Sequence, residues 1–274
     1  MNLKIVADYT LKDYAAGAEM VDDNISKALD IEIYNSKEFE VDTNTHYLVS
    51  NATMMLPLTK RALMHFGNYS IFEHDYKMHP TRQPSRYRDC LFPAHERINL
   101  DFFEKAKNVF VQTKDHLDCH KANTEGITVN YINLSTSIWS DKELDDLQSI
   151  SSYTPVDDYT FAIIDDKGPD KGTENAVAWC KANTIDYRLI PKLPKKQFYQ
   201  ELARHSVLVY FPNVKESFCR LVVEARCLYM NVISPKTYGA VKEPWFCKKG
   251  NEMIGFLREE SKKNLETIKT LCLN

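Results

Sequence analysis

The stretch HSVLVYFPNVKESFCRLVVEARCLYMNVIS, residues 205–234, leaves few folds open to this chain. Residues 206–211 form an apolar, β-branched run stopped by Pro212, short enough for a strand buried on both faces, and such strands belong to parallel sheets. A polar loop follows at 213–216. Leu221, Val222, Ala225 and Leu228 then recur at helical spacing, which predicts a helix from Ser217 or Phe218, and Val232-Ile233 read as the next strand. The unit is a βαβ crossover. Its loop and helix N-terminus lie at the carboxyl edge of the sheet, where open α/β folds bind ligands and where a helix start favours anions.

Two carboxylates frame that unit. Glu224 lies eight residues beyond Glu216, about two turns at ~3.6 residues per turn, so both can face one side. The same spacing also suits a first-turn acid favoured by the helix dipole and a solvated helix acid.

Residues 215–225, K-E-S-F-C-R-L-V-V-E-A after a strand ending in proline, resemble the E-x7-E signature of the large retaining family of GT-B glycosyltransferases, usually E-G-F-G-x-x-x-x-E-A. Ser217 and Cys219 stand where that family commonly has glycine. Further matches are spread along the chain. Ala16-Gly17-Ala18-Glu19, after the strand predicted at 3–7, resembles the G-G-A-E turn whose backbone reaches the donor. His74-Asp75 looks like the histidine that touches the transferred sugar. Lys171-Gly172 matches the second half of a G-R…K-G phosphate loop. The arginine of that loop is absent, and Lys167 is the candidate substitute. Leu193-Pro194, and Tyr238-Gly239-Ala240 with Glu243, complete the pattern.

The resemblance implies an α/β, GT-B fold: two Rossmann-like domains facing across a cleft, with a C-terminal helix packing back on the first. The boundaries expected are 1–150 for the acceptor-side domain, 151–250 for the nucleotide-sugar domain and 251–274 for the closing helix, with a linker at 149–158. It implies a retaining transfer from a nucleotide sugar, a UDP-sugar foremost, with no other cofactor. His74, Glu216 and Lys171 are the implied catalytic residues. Gly17, Lys167, Lys171, Ser217, Phe218, Cys219, Arg220, Glu224, Tyr238 and Gly239 are those implied for the donor. The sequence has no D-x-D, so no metal is expected. Lysines and helix-end amides can stabilise a departing diphosphate without one.

Periodicity supports the same architecture. Strand patterns at 31–34, 47–50, 69–72, 109–112, 127–132, 161–164 and 187–190 alternate with helix patterns at 57–66, 100–107, 114–123, 173–182 and 197–205, as in a parallel α/β protein. Residues 133–139, NLSTSIW, carry hydroxyls able to cap a helix at 141–147 or to serve an acceptor. His116 and His120 are expected at the surface of their helix, because H-L-D-C-H lacks the internal Glu of H-E-x-x-H.

After residue 72 the chain reads EHDYKMHPTRQPSRYRD, a long loop in which Lys77, Arg82, Arg86 and Arg88 alternate with Tyr76 and Tyr87. It is either a solvated loop or a grip for an anionic acceptor, nucleic acid included. The small size of the chain and this segment make it look like phage-type sugar transferases, which points to a modified base in DNA as acceptor. A glycan or lipid-linked acceptor is the alternative. A net charge of −3 over 274 residues gives no global signal for nucleic acid. Seven cysteines without a C-x-x-C pair fit reduced thiols rather than a disulfide framework or a zinc site. The opening MNLKIVADYT lacks an apolar signal core, and no apolar run is long enough to span a bilayer, so a cytoplasmic protein is expected. Two rivals stand beside the transferase: a non-catalytic nucleotide-sugar-binding module on a degenerate frame, and an α/β enzyme on another nucleotide. Absence of G-x-G-x-x-G and G-x-x-x-x-G-K-[ST] counts against the second.

Overall fold

The computed structural model describes residues 2–13, 16–153, 160–168, 170–235 and 239–273. The chain forms two compact units, Met1–Trp139 with Glu260–Asn274, and Ser140–Glu259.

In the first unit the order is β1 (Asn2–Ala7), α1 (Gly17–Leu29), β2 (Ile33–Asn35), β3 (Thr45–Val49), α2 (Pro57–Phe66), β4 (Tyr69–Phe72), α3 (Leu100–Lys105), β5 (Val109–Val111), α4 (Lys114–Asn123) and β6 (Tyr131–Asn133). All pairs are parallel in a six-stranded sheet ordered β2-β1-β3-β4-β5-β6, with Ile5 opposite Leu48 and Val49 opposite Ile71. Each strand feeds both faces through the two-residue alternation of the pleat. Tyr47, Val49, Val109 and Val111 pack with Leu63 of α2, Phe102 and Phe103 of α3 and Cys119 of α4, whereas Leu48, Phe72 and Phe110 pack with Val21 and Ile25 of α1. Burial of one such side chain is worth roughly 1.5–3 kcal/mol, which pins the register. Ile268 and Cys272 join the second cluster. The end of the chain therefore packs back on the first unit, held also by Asn264 Nδ2 donating to the Leu134 carbonyl at 3.0 Å and by Trp139 N–H donating to Ser261 Oγ at 3.0 Å.

The second unit runs α5 (Asp141–Tyr153), β7 (Phe161–Ile164), α6 (Thr173–Ala182), β8 (Tyr187–Ile190), α7 (Lys195–Leu202), β9 (Val207–Val209), α8 (Arg220–Cys227) and β10 (Asn231–Ile233), and α9 (Gly250–Leu273) begins in it. Its sheet is also parallel, ordered β10-β9-β7-β8, over a core of Ile163, Ala176, Cys180, Val207 and Val209. α5 starts with a capping box: Ser140 N–H donates to Glu143 Oε2 at 3.1 Å and Glu143 N–H donates to Ser140 Oγ at 3.3 Å.

Several boundaries differ from the sequence pattern for physical reasons. α8 starts at Arg220 instead of 217 or 218, because Cys219 holds φ 69°, ψ 82°, which no helical turn accommodates. Residues 149–153, expected in a linker, continue α5. The β6 strand is confined to the three residues that face β5, while residues 127–130 lead into it from a turn in which Ile127 N–H donates to the Thr124 carbonyl. His116 and His120 are a correction. Both are fully buried, with His116 Nε2 at 2.7 Å and His120 Nε2 at 3.1 Å from the Asp75 carbonyl oxygen, packed against the Tyr76 ring. Burial pushes both imidazoles down, His120 to about 4, so both stay neutral supports of the loop after β4.

Candidate functional site

At the carboxyl edge of the second sheet two loops lock together. The loop after β7 ends at Gly172, which caps α6 with φ 64°; a Cβ there would fall 1.7 Å from the Phe211 carbonyl oxygen. Only glycine permits that approach. Asn213 N–H donates to the Asp170 carbonyl at 2.9 Å, and Asn175 Nδ2 donates to Asn213 Oδ1 at 2.6 Å. The loop after β9 is clamped from its other side: Gly239 N–H donates to the Glu216 carbonyl at 3.3 Å and Ala240 N–H to the Phe218 carbonyl at 3.0 Å. A Cβ on Gly239 would lie 2.0 Å from the Ser217 carbonyl oxygen. Cys219, at a position where the family that the chain resembles commonly has glycine, keeps a left-handed backbone all the same. Burial pushes its thiol well above the usual range.

These loops bring charge together. Lys171 Nζ donates to Glu216 Oε1 at 3.0 Å, and Tyr210 OH donates to the same oxygen at 2.9 Å. Burial works to lower the Lys171 ammonium, but the Glu216 carboxylate beside it prevails and raises it. The ammonium has three donors, of which Glu216 takes one. Glu224 is buried on α8, where its Oε1 accepts from Lys195 Nζ at 2.6 Å and from Tyr199 OH at 2.9 Å. Burial, reinforced by the Glu224 charge, drives the Tyr199 phenol far above its usual value, so it is a fixed donor. Arg220 Nη2 donates to Glu143 Oε1 at 2.8 Å, both side chains being largely covered. Ser217 is buried, as is Phe218, whose ring lies 6.1 Å from that of Trp245. Lys167 is exposed on the loop after β7, and Tyr238 lies outside the described residues.

In the first unit Gly17 is exposed and opens α1, whose first N–H groups have no carbonyl partner in the helix and no side-chain cap. His74 follows β4. Its Nε2 lies 2.7 Å from Ser50 Oγ and 3.4 Å from Asp22 Oδ1, and Ser50 Oγ donates to that same Asp22 oxygen at 2.6 Å, which fixes the ring. Lys77 is spent internally: its Nζ reaches Glu73 Oε1 at 2.8 Å and Asp75 Oδ1 at 3.0 Å, and the residue is only 9% exposed. Two carboxylates share this one ammonium. Burial pushes the fully covered Glu73 up to about 8. Burial would raise Asp75 too, but Lys77, then the Glu73 hydrogen bond and Arg82, hold it well below the usual range. Arg82 Nη1 donates to Asp75 Oδ2 at 3.1 Å. Arg86 is exposed, and the Arg88 side chain is 96% exposed. Of the four basic residues of this segment, Lys77 is thus buried, Arg82 is exposed but paired with Asp75, and Arg86 and Arg88 are exposed.

Among the described residues no helix is long and apolar enough to cross a membrane. No protein-family model and no curated protein sequence matches the chain. Solved structures do. A trehalose-6-phosphate synthase, OtsA, superposes with TM-score 0.59 at 9% identity, over 99% of each chain. The trehalose-6-phosphate structure from E. coli bound with UDP-2-fluoro glucose gives 0.56 at 10%, again over 99% of each. HepE of Anabaena in complex with UDP and glucose gives 0.54 at 12%, over 99% of this chain and 92% of that one.

The fold is GT-B.

Within that fold the sequence pattern had not pointed to Glu143, Lys195, Tyr199 or Tyr210, each of which anchors a residue it did single out. Some signal was there: Ser140-x-x-Glu143 is a capping-box pattern, and Lys195 directly follows Leu193-Pro194. Nothing local marks Tyr199, whose partner Glu224 is distant in sequence.

Proposed function

We propose that this chain is a retaining, metal-independent glycosyltransferase that takes its sugar from a UDP-sugar. The observation that carries the proposal is the Lys171–Glu216 pair at 3.0 Å, set between two loops that close on Gly172 and Gly239 at the carboxyl edge of a parallel sheet. A departing nucleoside diphosphate gathers negative charge, and an ammonium kept charged by a neighbouring acid, near the start of α6, stabilises it as it forms. Solved GT-B structures whose bound molecules are UDP or UDP-2-fluoro glucose support a uridine nucleotide. In this reading Lys171, with Lys167, holds the diphosphate, Glu216 orients the sugar, and Glu224 receives the ribose hydroxyls. Ser217, Phe218, Cys219, Arg220, Tyr238 and Gly239 shape the donor loop. Gly17 offers backbone donors, and His74, its ring fixed through Ser50 and Asp22, touches the sugar.

For the acceptor, a sugar hydroxyl is favoured by the pairing of Lys77 with Glu73 and of Arg82 with Asp75, which leaves less charge for a polymer. A modified base in DNA is the second reading, favoured by exposed Arg86 and Arg88 on either side of Tyr87. The test is a mass-spectrometric screen of UDP-sugars for hydrolysis, followed by acceptor pools of glycans and of modified DNA. Release of UDP that Lys171→Ala lowers by about 10²-fold supports the reading. Tight binding of UDP-sugars with no turnover on any pool would identify a binding module instead.

A further inference from the structure

The first unit contains a cavity of about 390 Å³ at the carboxyl ends of β3 and β4, a size typical of small-molecule sites. Its walls are unlike in character. Val49, Ile71, Phe102 and Phe103 supply apolar surface, and Glu73, Lys77, Arg82 and Lys60 supply charge. We propose that this cavity seats a compact anionic sugar, one ring carrying a single phosphate or carboxylate, as the acceptor; the word acceptor rests on the transferase reading, the binding does not.

The first reason is Glu73. It is 0% exposed and lines the cavity; its Oε1 accepts from Lys77 Nζ at 2.8 Å and from Asp75 N–H at 3.0 Å, yet its Oε2 has no partner among the described residues. An idle buried carboxyl oxygen costs free energy unless something hydrogen-bonds to it. A ring hydroxyl does so in either protonation state, accepting from the acid or donating to the carboxylate. A bare inorganic anion can only accept from the protonated acid and is repelled by the carboxylate, whereas a hydroxyl serves both.

The second reason is the sign of the remaining charge. Three cations, Lys60, Lys77 and Arg82, line the cavity; Glu73 and Asp75 pair with Lys77 and Arg82, and Asp101 acts on Lys60 only from beyond ion-pair distance. Protonation of the buried Glu73, whose carboxyl is pushed up to about 8, leaves Asp75 as the one charged partner of Lys77 and Arg82. Lys60 is the cation least accounted for. Its Nζ donates to Asn99 Oδ1 and sits 4.8 Å from the centre of the Phe102 ring. Among the described residues no carboxylate lies within ion-pair distance of it, and burial lowers its pKa, with Asp101 acting against that only from farther off. A negative group on the ligand supplies the missing counter-charge. The phenylalanine walls supply what an ion alone leaves unused, a surface for the C–H face of a sugar ring. Polymeric DNA does not fit inside a cavity of this volume.

The experiment is calorimetric titration of the full chain, without nucleotide sugar, with a hexose phosphate, a hexuronate, the neutral hexose and inorganic phosphate. At least one charged sugar is expected to bind about tenfold or more tightly than the neutral hexose, the worth of one charge-assisted contact. The stronger of the two distinguishes phosphate from carboxylate. Lys60→Gln should erase the preference to within about twofold while leaving the thermal unfolding curve in place, and Glu73→Gln should weaken charged and neutral sugars alike. Equal binding of charged and neutral hexose, inorganic phosphate binding as tightly as hexose phosphate, or unchanged selectivity in Lys60→Gln would each overturn the proposal. UDP-sugar titrations of the same samples separate the two readings. Sugar binding without UDP-sugar binding removes the transferase and keeps the pocket, and the reverse removes the pocket alone.

Discussion

Lys171 Nζ and Glu216 Oε1 stand 3.0 Å apart although 45 residues separate them in the chain, so the loop after β7 and the loop after β9 are joined by an ion pair. The Glu216 carboxylate keeps Lys171 charged. Lys171→Ala is expected to lower turnover by about 10²-fold, the usual loss when one charge-stabilising donor is removed, with little change in the unfolding midpoint because the pair is partly exposed. Rates with a UDP-sugar check it. If Lys167→Ala is the damaging change and Lys171→Ala is not, the diphosphate sits elsewhere on this loop.

Gly172 and Gly239 give a second prediction. Alanine at either position must displace a backbone carbonyl, from 1.7 Å at Phe211 and from 2.0 Å at Ser217. At Gly172 the left-handed φ adds about 1–2 kcal/mol of strain. Gly172→Ala should lower the melting temperature by several degrees, at ~2–4 °C per kcal/mol for a domain of this size, and weaken UDP-sugar binding with it. Cys219→Gly should behave oppositely. That residue already holds φ 69°, so glycine relieves the strain and the variant should keep its donor affinity within about threefold. A large loss in Cys219→Gly would mean that the buried thiol, not the backbone shape, is what the position needs.

The fold was legible because its signals are local. The apolar runs at 69–72, 161–164 and 187–190 and the helices at 57–66, 114–123 and 173–182 match the structure end to end, since Pro57 at a helix start, Gly67 after its end and Thr113 as a cap are written in adjacent residues. Gly172 was singled out by motif, and the clash its Cβ would make shows why glycine stands there. What remained hidden depends on distant partners. Lys77 reads as a solvated loop cation until the fully buried Glu73 and half-buried Asp75 are placed around it. The same holds for His116 and His120, which turn inward because the loop after β4 lies over α4 and gives them the Asp75 carbonyl.

Glu73 makes stability depend on pH. The unfolded carboxyl titrates near 4.5 and the folded one near 8, because burial disfavours its charge. Between those values the folded state keeps a proton that the unfolded state has released, so this contribution is full below 4.5 and is lost as pH rises toward 8. Its slope is at most about 1.4 kcal/mol per pH unit. Asp75, lowered, loses its contribution only in acid below 3.8, and Lys77, raised, only in base above 10.5, so neither intrudes. Buried His46, His116 and His120, all lowered, change stability in the opposite sense up to about 6.5. The readout is therefore the difference between wild type and Glu73→Gln in urea midpoint from pH 5 to 8. It should move steadily in favour of the variant as pH rises. A flat difference would show Glu73 to be ionised throughout.

The last prediction separates the two acceptor readings through salt. Arg82, Arg86 and Arg88 are all exposed, but Arg82 is also paired with Asp75 and lines the cavity, so the double variant Arg86→Gln, Arg88→Gln tests a polymer grip without touching the pocket. If duplex DNA is held there, each lost phosphate contact removes ~0.9 from the slope of log affinity against log salt, so the double variant should lose nearly 2. UDP-sugar affinity should stay as it is. If the acceptor is a compact anionic sugar, exposed arginines at the loop contribute only a screened attraction, and both proteins should show the same shallow salt dependence. The measurement is the initial rate against acceptor concentration at several ionic strengths for wild type and variant. Equal slopes on a DNA acceptor, together with activity on a hexose phosphate or hexuronate that falls in Lys60→Gln, would leave the pocket as the acceptor site and the arginine loop as a solvated surface.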